Sequence, residues 1–326
     1  MPDTGTFTRT ACTPDAPRIL GADVAKREVV IHDSQTNRLH RIVNDPGALD
    51  AALARLGPAD LLVCETTGGY ERALLAAALA RGQPAHRADA ARVKAFIASH
   101  GGKAKTDPID AGWLACYGRE RLQTLASWHA PCPTREAIAI CMRHRQALLA
   151  SRTAARNRRS APGQEAVADL LDAEIGFLTG QIETLDARIG ELAATSAAIA
   201  RDEQALRAIP GIGPVFARSL IAFIPELGNL SAKAAASLAG LAPHPRESGE
   251  TSKRRHMSGG RDGLRPIAFM AALTAARRHP QLTAFYQRLV DAGKPKRLAL
   301  AAVARKLVVI ANAVLKHART AMQPLT

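Results

Sequence analysis

Aromatic residues are scarce: Phe, Trp and Tyr make up 4% of the 326 residues. That is too little ring surface to grip single strands mainly by stacking bases. Cysteine is scarce as well. Cys12, Cys64, Cys116, Cys132 and Cys141 form no CxxC pair and are odd in number, which argues against a zinc site and against a disulfide framework. They read as free thiols in a reducing cytoplasm. No uncharged apolar run approaches the roughly 18 residues that span a bilayer, and the opening MPDTGTFTRTACTPDAP lacks the apolar centre of a signal peptide. The expectation is a cytoplasmic chain without a membrane partner. Acid is in deficit too, with 29 Asp and Glu against 44 Lys and Arg, a net charge of +15. Such an excess disfavours a typical small-molecule enzyme and suits a polyphosphate partner, DNA or RNA. The 47% hydrophobic content suffices for packed cores, and at roughly 100 to 200 residues per domain the chain should form two or three.

The positive charge is unevenly placed. Residues 1–118 are nearly balanced, 119–164 carry nine basic side chains against two acidic, 165–200 one against seven, and 201–326 twenty against seven. Binding surfaces are therefore expected beyond the first third, which is left free for acidic chemistry. In that third, RILGADVA, EVVIHD and RLHRIVN read as a three-stranded meander. Helix GALDAALARLG, strand LLVCET, helix ERALLAAALARG, a short strand near Pro84 to Arg87, and helix ARVKAFIASHG follow. Strands alternating with helices after a meander predict an α/β layer with a mixed sheet.

From Asp110 to Ala200 the pattern is helical. Leu171, Ile175, Leu178, Ile182, Leu185, Ile189 and Leu192 mark a heptad seam, the signature of a coiled coil. The seam is expected to contribute to self-association. The alternative partner is the preceding basic helix, folded back at the turn Ser160-Ala-Pro-Gly163. The last third, rich in Ala and Leu, reads as all-α.

Basic and glycine-rich motifs lie in the two later thirds. Arg143, Arg145, Arg152, Arg156, Arg158 and Arg159 concentrate guanidinium forks that match phosphates, unless they pair with the acidic stretch that follows. Ile209-Pro-Gly-Ile-Gly213 resembles the turn of a helix-hairpin-helix, with Gly211 and Gly213 able to present backbone N–H groups to a phosphate. It also suits a plain helix stop and start. Lys253, Arg254, Arg255 and Arg261 fall in ESGETSKRRHMSGGRDG, which has the composition of a mobile loop.

The acids of the first third ask for an explanation. Asp23 lies within an apolar strand, where a carboxylate is costly unless paired or bound to metal. Glu65 ends another strand, and Asp107 and Asp110 open a helix three residues apart, near one face. Four converging carboxylates suit Mg²⁺, and two such ions about 4 Å apart can clamp both oxygens of a phosphoryl transfer. Each acid also has a plainer reading: Asp107 before Pro108 as a helix cap, Asp110 as a partner of the helix dipole, and Glu65 as a strand end.

The neighbours of these acids carry a resemblance. Gly21-Ala-Asp23-Val-Ala-Lys26, Glu65-Thr-Thr-Gly-Gly-Tyr70, Lys105-Thr-Asp107-Pro-Ile-Asp110-Ala111, Ile209-Pro-Gly-Ile-Gly213, Ala239-Gly-Leu-Ala-Pro243 and Glu247-Ser248-Gly249 occur in this order. Together they resemble the DEDD transposases of insertion sequences, the "IS one-ten" family of bridge-RNA-guided recombinases. The resemblance implies a ribonuclease-H-like (RuvC-like) α/β domain over residues 18–118, in which Asp23, Glu65, Asp107 and Asp110 hold Mg²⁺. It further implies a helical coiled-coil region over 119–203 and an all-α transposase domain over 204–326 carrying the helix-hairpin-helix-like segment; residues 1–17 extend beyond the resemblance and are expected to be disordered. Ser248 matches the family's nucleophile, which forms a covalent phosphoserine link to DNA. The implied partners are donor and target DNA, a noncoding bridge RNA, and further copies of the chain in a dimer or tetramer. Two rival readings keep parts of this: a hydrolytic RuvC-like resolvase or nuclease using the same acids with water, and a nonenzymatic nucleic-acid scaffold.

Overall fold

The structure, a computed structural model, describes residues 16–101, 107–248, 251–257, 259–261 and 263–321. The N-terminal extension therefore lies almost wholly outside the described residues. The chain divides into two compact units, Met1–Ala130 and Pro131–Thr326.

The first unit is a five-stranded mixed sheet with helices on both faces. Strands β1 (Ile19–Val24), β2 (Glu28–Asp33) and β3 (Arg38–Val43) form the antiparallel meander, and β4 (Leu61–Glu65) and β5 (Ala85–Ala88) extend it in parallel, giving the order β3-β2-β1-β4-β5. Helices α1 (Pro46–Leu56), α2 (Arg72–Ala80), α3 (Ala90–Ser99) and α4 (Asp107–Arg121) complete the unit. Alternation decides which side chain meets which layer. Leu20, Ala22, Val24, Leu62 and Cys64 pack with Leu49, Leu53, Leu74 and Leu75 of α1 and α2. Ile19, Leu61 and Val63 pack with Val93 and Phe96 of α3 and Leu114 and Tyr117 of α4. At the β2–β3 turn, buried Asp33 accepts two bonds from the Arg18 guanidinium (2.8 and 3.3 Å), one from Gln35 N–H and one from the Thr36 hydroxyl. Burial alone would raise its pKa; these donors outweigh burial and hold the carboxyl below its usual range.

Two glycines let α4 lie directly on the sheet. A Cβ at Gly21 would run into the Ala111 carbonyl oxygen and the Ala115 amide, and one at Gly118 would meet the Val63 and Ile19 side chains at 2.7 and 2.8 Å. The obstruction at Gly21 is backbone, so it cannot rotate away. Gly21→Ala is expected to cost about 3 kcal/mol, at the top of the usual overpacking range. Urea denaturation showing no loss would contradict this packing.

The second unit begins with a helical hairpin, α5 (Pro133–Arg159) and α6 (Ala168–Ala194). The heptad seam is spent inside the chain. Leu171, Leu178, Ile182 and Ile189 are buried, and the paired residues Arg145–Asp186, Arg152–Thr179 and Arg159–Asp172 step in opposite directions, so the two helices are antiparallel. These buried seam residues pack in the hairpin with α5, the basic helix that was the alternative partner. The base of the hairpin, through Ile138, Met142 and Ile189, shares one core with α7 (Ala197–Arg207), α8 (Pro214–Phe223), α10 (Leu264–Arg278) and α12 (Lys296–Thr320). Helices α9 (Ala232–Leu238) and α11 (Pro280–Asp291) complete the helical part.

The last third is not all-α. Strands β6 (Pro243–Ser248) and β7 (Thr251–Met257) pair antiparallel where a mobile loop was expected. The tract lacks apolar alternation, so its strand character was hidden, and its pairing comes from backbone bonds instead. Among the described residues one helix, α12, is long and apolar enough to cross a membrane by length and composition, and half of its most apolar stretch is buried in the core.

Candidate functional site

Asp23, Glu65 and Asp110 lie toward one end of one sheet face. Asp23 has the strand parity of Ile19 and Gly21, and Glu65 that of Leu61 and Val63, so both project on the face covered by α3 and α4. β1 and β4 run parallel, with Ala22 opposite Cys64, so Asp23 and Glu65 follow each other at neighbouring strand ends. Along α4, Ala111 and Ala115 lie over Gly21 while Gly118 lies over Ile19. The helix therefore runs opposite to β1, and its first turn sits at the end where the two strand acids emerge.

The geometry of these elements sets the scale. Asp23 lies about 7 Å beyond Gly21 at the rise of a strand, and Asp110 immediately precedes the helix residue in contact with that glycine. Asp107 is the first residue of α4; its side chain lies outside the described residues. Asp23, Glu65 and Asp110 are each half-buried, and the positive end of the α4 dipole faces their charges. Carboxylate oxygens are the hard donors that Mg²⁺ takes, so the donor chemistry fits. Among the described residues, no group of three His, Cys, Asp or Glu side chains is drawn close enough to hold a metal ion.

The loop after Glu65 carries a carboxylate that the sequence reading passed over. Glu71 is buried, and its Oε2 accepts the N–H groups of Gly69 (2.9 Å) and Thr67 (3.3 Å) and the Thr67 hydroxyl (3.1 Å). Burial raises its pKa. Its own backbone N–H, those of Gly69 and Thr67, and the Thr67 hydroxyl overcome that and keep the group below its usual range. Its position directly after the Gly-Gly-Tyr motif was the available signal. Asn44 was missed too: its Nδ2 donates to Ala25 O (2.9 Å) and Tyr70 O (3.1 Å), joining the loop after Asp23 to the loop after Glu65. Beneath them, burial pushes the Cys64 thiol up to about 12, so it is inert at neutral pH.

In the second unit three of the six hairpin arginines, Arg145, Arg158 and Arg159, face acids of the same chain. Arg145 forms a two-pronged pair with Asp186 (2.7 and 2.9 Å), Arg158 bonds Glu174 (3.1 Å), Arg159 bonds Asp172 (3.0 Å), and Arg152 donates to the Thr179 hydroxyl. Arg143 stacks over the Phe223 ring, 6.0 Å from its centre, and Arg156 is exposed. Internal pairing, one of the two open readings, is present at Arg145, Arg158 and Arg159. The exposed pairs contribute little stability, so a phosphate can compete for their guanidinium groups.

The turn between α7 and α8 is set by packing. Ile209 and Ile212 are buried, and Gly211, at φ +102°, lies so close to Ala275 of α10 that a Cβ would sit 2.5 Å from the alanine's own. Gly213 is the exposed N-cap of α8, with open space around its Cα. Arg261 donates to Phe223 O and Glu226 at 2.6 Å each, which staples the segment after β7 to the helical core. Lys253, Arg254 and Arg255 lie on β7; their side chains are outside the described residues.

Ser248 is the last residue of β6, opposite Thr251 across the hairpin tip, and its side chain is likewise outside the described residues. The base of that hairpin is firmly tied. A Cβ on Gly260 would run into the backbone of Gly240, and Arg265 donates to the carbonyls of Gly240 and Gly259 at 2.8 Å each. Arg265 was not foreseen as the clamp of this hairpin.

Comparison with known proteins finds two family models in series. One describes a transposase of the DEDD, IS110 type and matches residues 20–161, which include all four acids. The other describes the transposase IS116/IS110/IS902 family and matches residues 203–287, which include Ser248. A pilin gene-inverting protein of Moraxella lacunata is 29% identical over 270 residues, spanning 79% of this chain and 80% of its own. The protein of the same name from Moraxella bovis is similar to the same extent.

Proposed function

We propose that this chain, which belongs to the IS110 family of DEDD transposases, is a Mg²⁺-dependent, RNA-guided recombinase that moves its own insertion element through a serine-linked DNA intermediate. The observation that carries the reading is the placement of Asp23, Glu65 and the first turn of α4 at one end of one sheet face. The strand order β3-β2-β1-β4-β5 supports a ribonuclease-H-like, RuvC-like domain as its frame. The Moraxella relatives, named for inverting a pilin gene, support rearrangement of DNA as the outcome.

In this reading Asp23, Glu65, Asp107 and Asp110 hold the Mg²⁺ ions. Bound there, Mg²⁺ neutralises charge on the reacting phosphate and makes a hydroxyl more acidic. Ser248 is delivered by the β6–β7 hairpin, in the same copy or from another. Its Oγ loses its proton and bonds to phosphorus, while the deoxyribose oxygen that leaves takes up a proton. A hydroxyl of the second DNA strand then attacks the phosphoserine, and the serine regains its proton. One phosphodiester is exchanged for another, so no energy source is consumed. Lys and Arg of the second unit hold RNA and DNA backbones, and base pairing with the guide supplies the sequence specificity that an aromatic-poor, basic surface does not.

The test is reconstitution of purified chain, the noncoding RNA encoded beside its gene, and labelled donor and target duplexes. Joined product is expected with Mg²⁺ and RNA, and none when EDTA is added or the RNA is withheld. Product formed without RNA would remove the guide from the proposal, and product formed in EDTA would remove the metal.

A further inference from the structure

Glu71 is 1% exposed, and the proposed reaction does not use it. It precedes the first residue of α2, where an exposed Ser or Thr would cap a helix at less cost. Burying a carboxylate is expensive unless it is paired, and this one is paired completely. One oxygen takes three donors from Thr67 and Gly69, and the other faces the Arg87 guanidinium at 3.5 Å. Arg87 stands on β5 opposite Cys64, the residue before Glu65. On the same side, Thr66 gives both its N–H and its hydroxyl to Ala88 O at 3.1 Å.

These bonds fix the backbone that follows Glu65 as it leaves β4 and tie it to β5. Asn44 extends the hold to Ala25, two residues after Asp23. We propose that Glu71 is a positioning residue for the acidic site: by holding the Thr67–Gly69 turn it sets the direction in which Glu65 is presented beside Asp23. This rests on the reading of the four acids as a metal site. Glu71 itself touches no metal, and it acts as outer-sphere partners of metal ligands do.

The experiment measures Mn²⁺ binding by the full chain without nucleic acid, following free Mn²⁺ by electron paramagnetic resonance, with a thermal melt of each variant. Asp23→Asn is expected to weaken binding at least tenfold. Glu71→Ala is expected to weaken it about 10- to 100-fold. Glu71→Gln should fall between Glu71→Ala and wild type, because its amide oxygen can still accept from Thr67 and Gly69 while its NH₂ meets Arg87. A purely structural role would lower the melting temperature and leave the Mn²⁺ affinity of the folded protein unchanged.

If Asp23→Asn weakens binding while both Glu71 variants stay within twofold of wild type, the positioning role is wrong and the metal reading stands. If Asp23→Asn itself binds as wild type does, the metal reading fails and takes this inference with it. Should Glu71→Ala not fold, Glu71→Gln decides by the same twofold criterion.

Discussion

Asp23→Asn is expected to reduce strand exchange by at least about a thousandfold, equivalent to ~4 kcal/mol at the transition state, with the fold intact. The substitution keeps size and shape and removes one negative charge from a set whose proposed task is to hold divalent cations against a phosphate. A hard cation discriminates strongly between a carboxylate and a neutral amide. Stability should change little. Asp23 lies at the half-buried end of β1, its backbone pairing with Val30 is unaffected by the side chain, and the adjacent core residues Ala22 and Val24 face the opposite layer. The measurement is joined product per hour for wild type and variant at equal Mg²⁺, beside melting temperatures and DNA retention in a gel. Full exchange by a folded Asp23→Asn chain would show that the strand acids only end strands.

The first third of this fold was legible because its signals are local and agree with each other. Apolar alternation marks β1 and β2, Lys26 and Arg27 mark the turn between them, and helical spacing marks α1 to α3. The placement of Asp110 toward the strand end that carries Asp23 was less visible, since it depends on the direction of α4 across the sheet. Gly21 and Gly118 set that contact, yet in a sequence they look like any other glycines. Periodicity found the seam of α6 but could not name its partner; the preceding excess of nine basic over two acidic residues was the better clue, and Arg145–Asp186 shows how it resolves. The β6–β7 hairpin escaped because Arg, Ser and Gly carry no alternation. Its closure depends on Arg265 and Gly240, each remote from the tip in sequence. Glu71 escaped for another reason. A glutamate at a helix start is ordinary, and only burial together with three donors distinguishes it.

Ser248→Ala separates the recombinase from a water-using nuclease built on the same acids. After incubation with guide RNA and end-labelled donor DNA, followed by denaturation, label is expected on wild-type protein and none on the alanine variant. The change removes one hydroxyl at the last residue of β6. The pairing of Ser248 with Thr251 and the clamp at Gly240 and Arg265 are backbone or distant features that the substitution leaves alone. Noncovalent DNA retention should therefore stay within about twofold, since phosphate contacts of Lys and Arg dominate such binding. The loss of covalent product should be complete, because no neighbouring atom of an alanine can form a phosphoester. A hydrolytic enzyme predicts the opposite pattern. Water would still attack in the variant, free cut ends would accumulate, and wild type would never have carried label. If the alanine variant neither cuts nor joins while Asp23→Asn retains protein-linked label, the serine would act without the acids. The two chemistries assigned to one reaction would then be independent. If both variants lose the link, the hydroxyl and the carboxylates are both required for one reaction, as the recombinase reading expects.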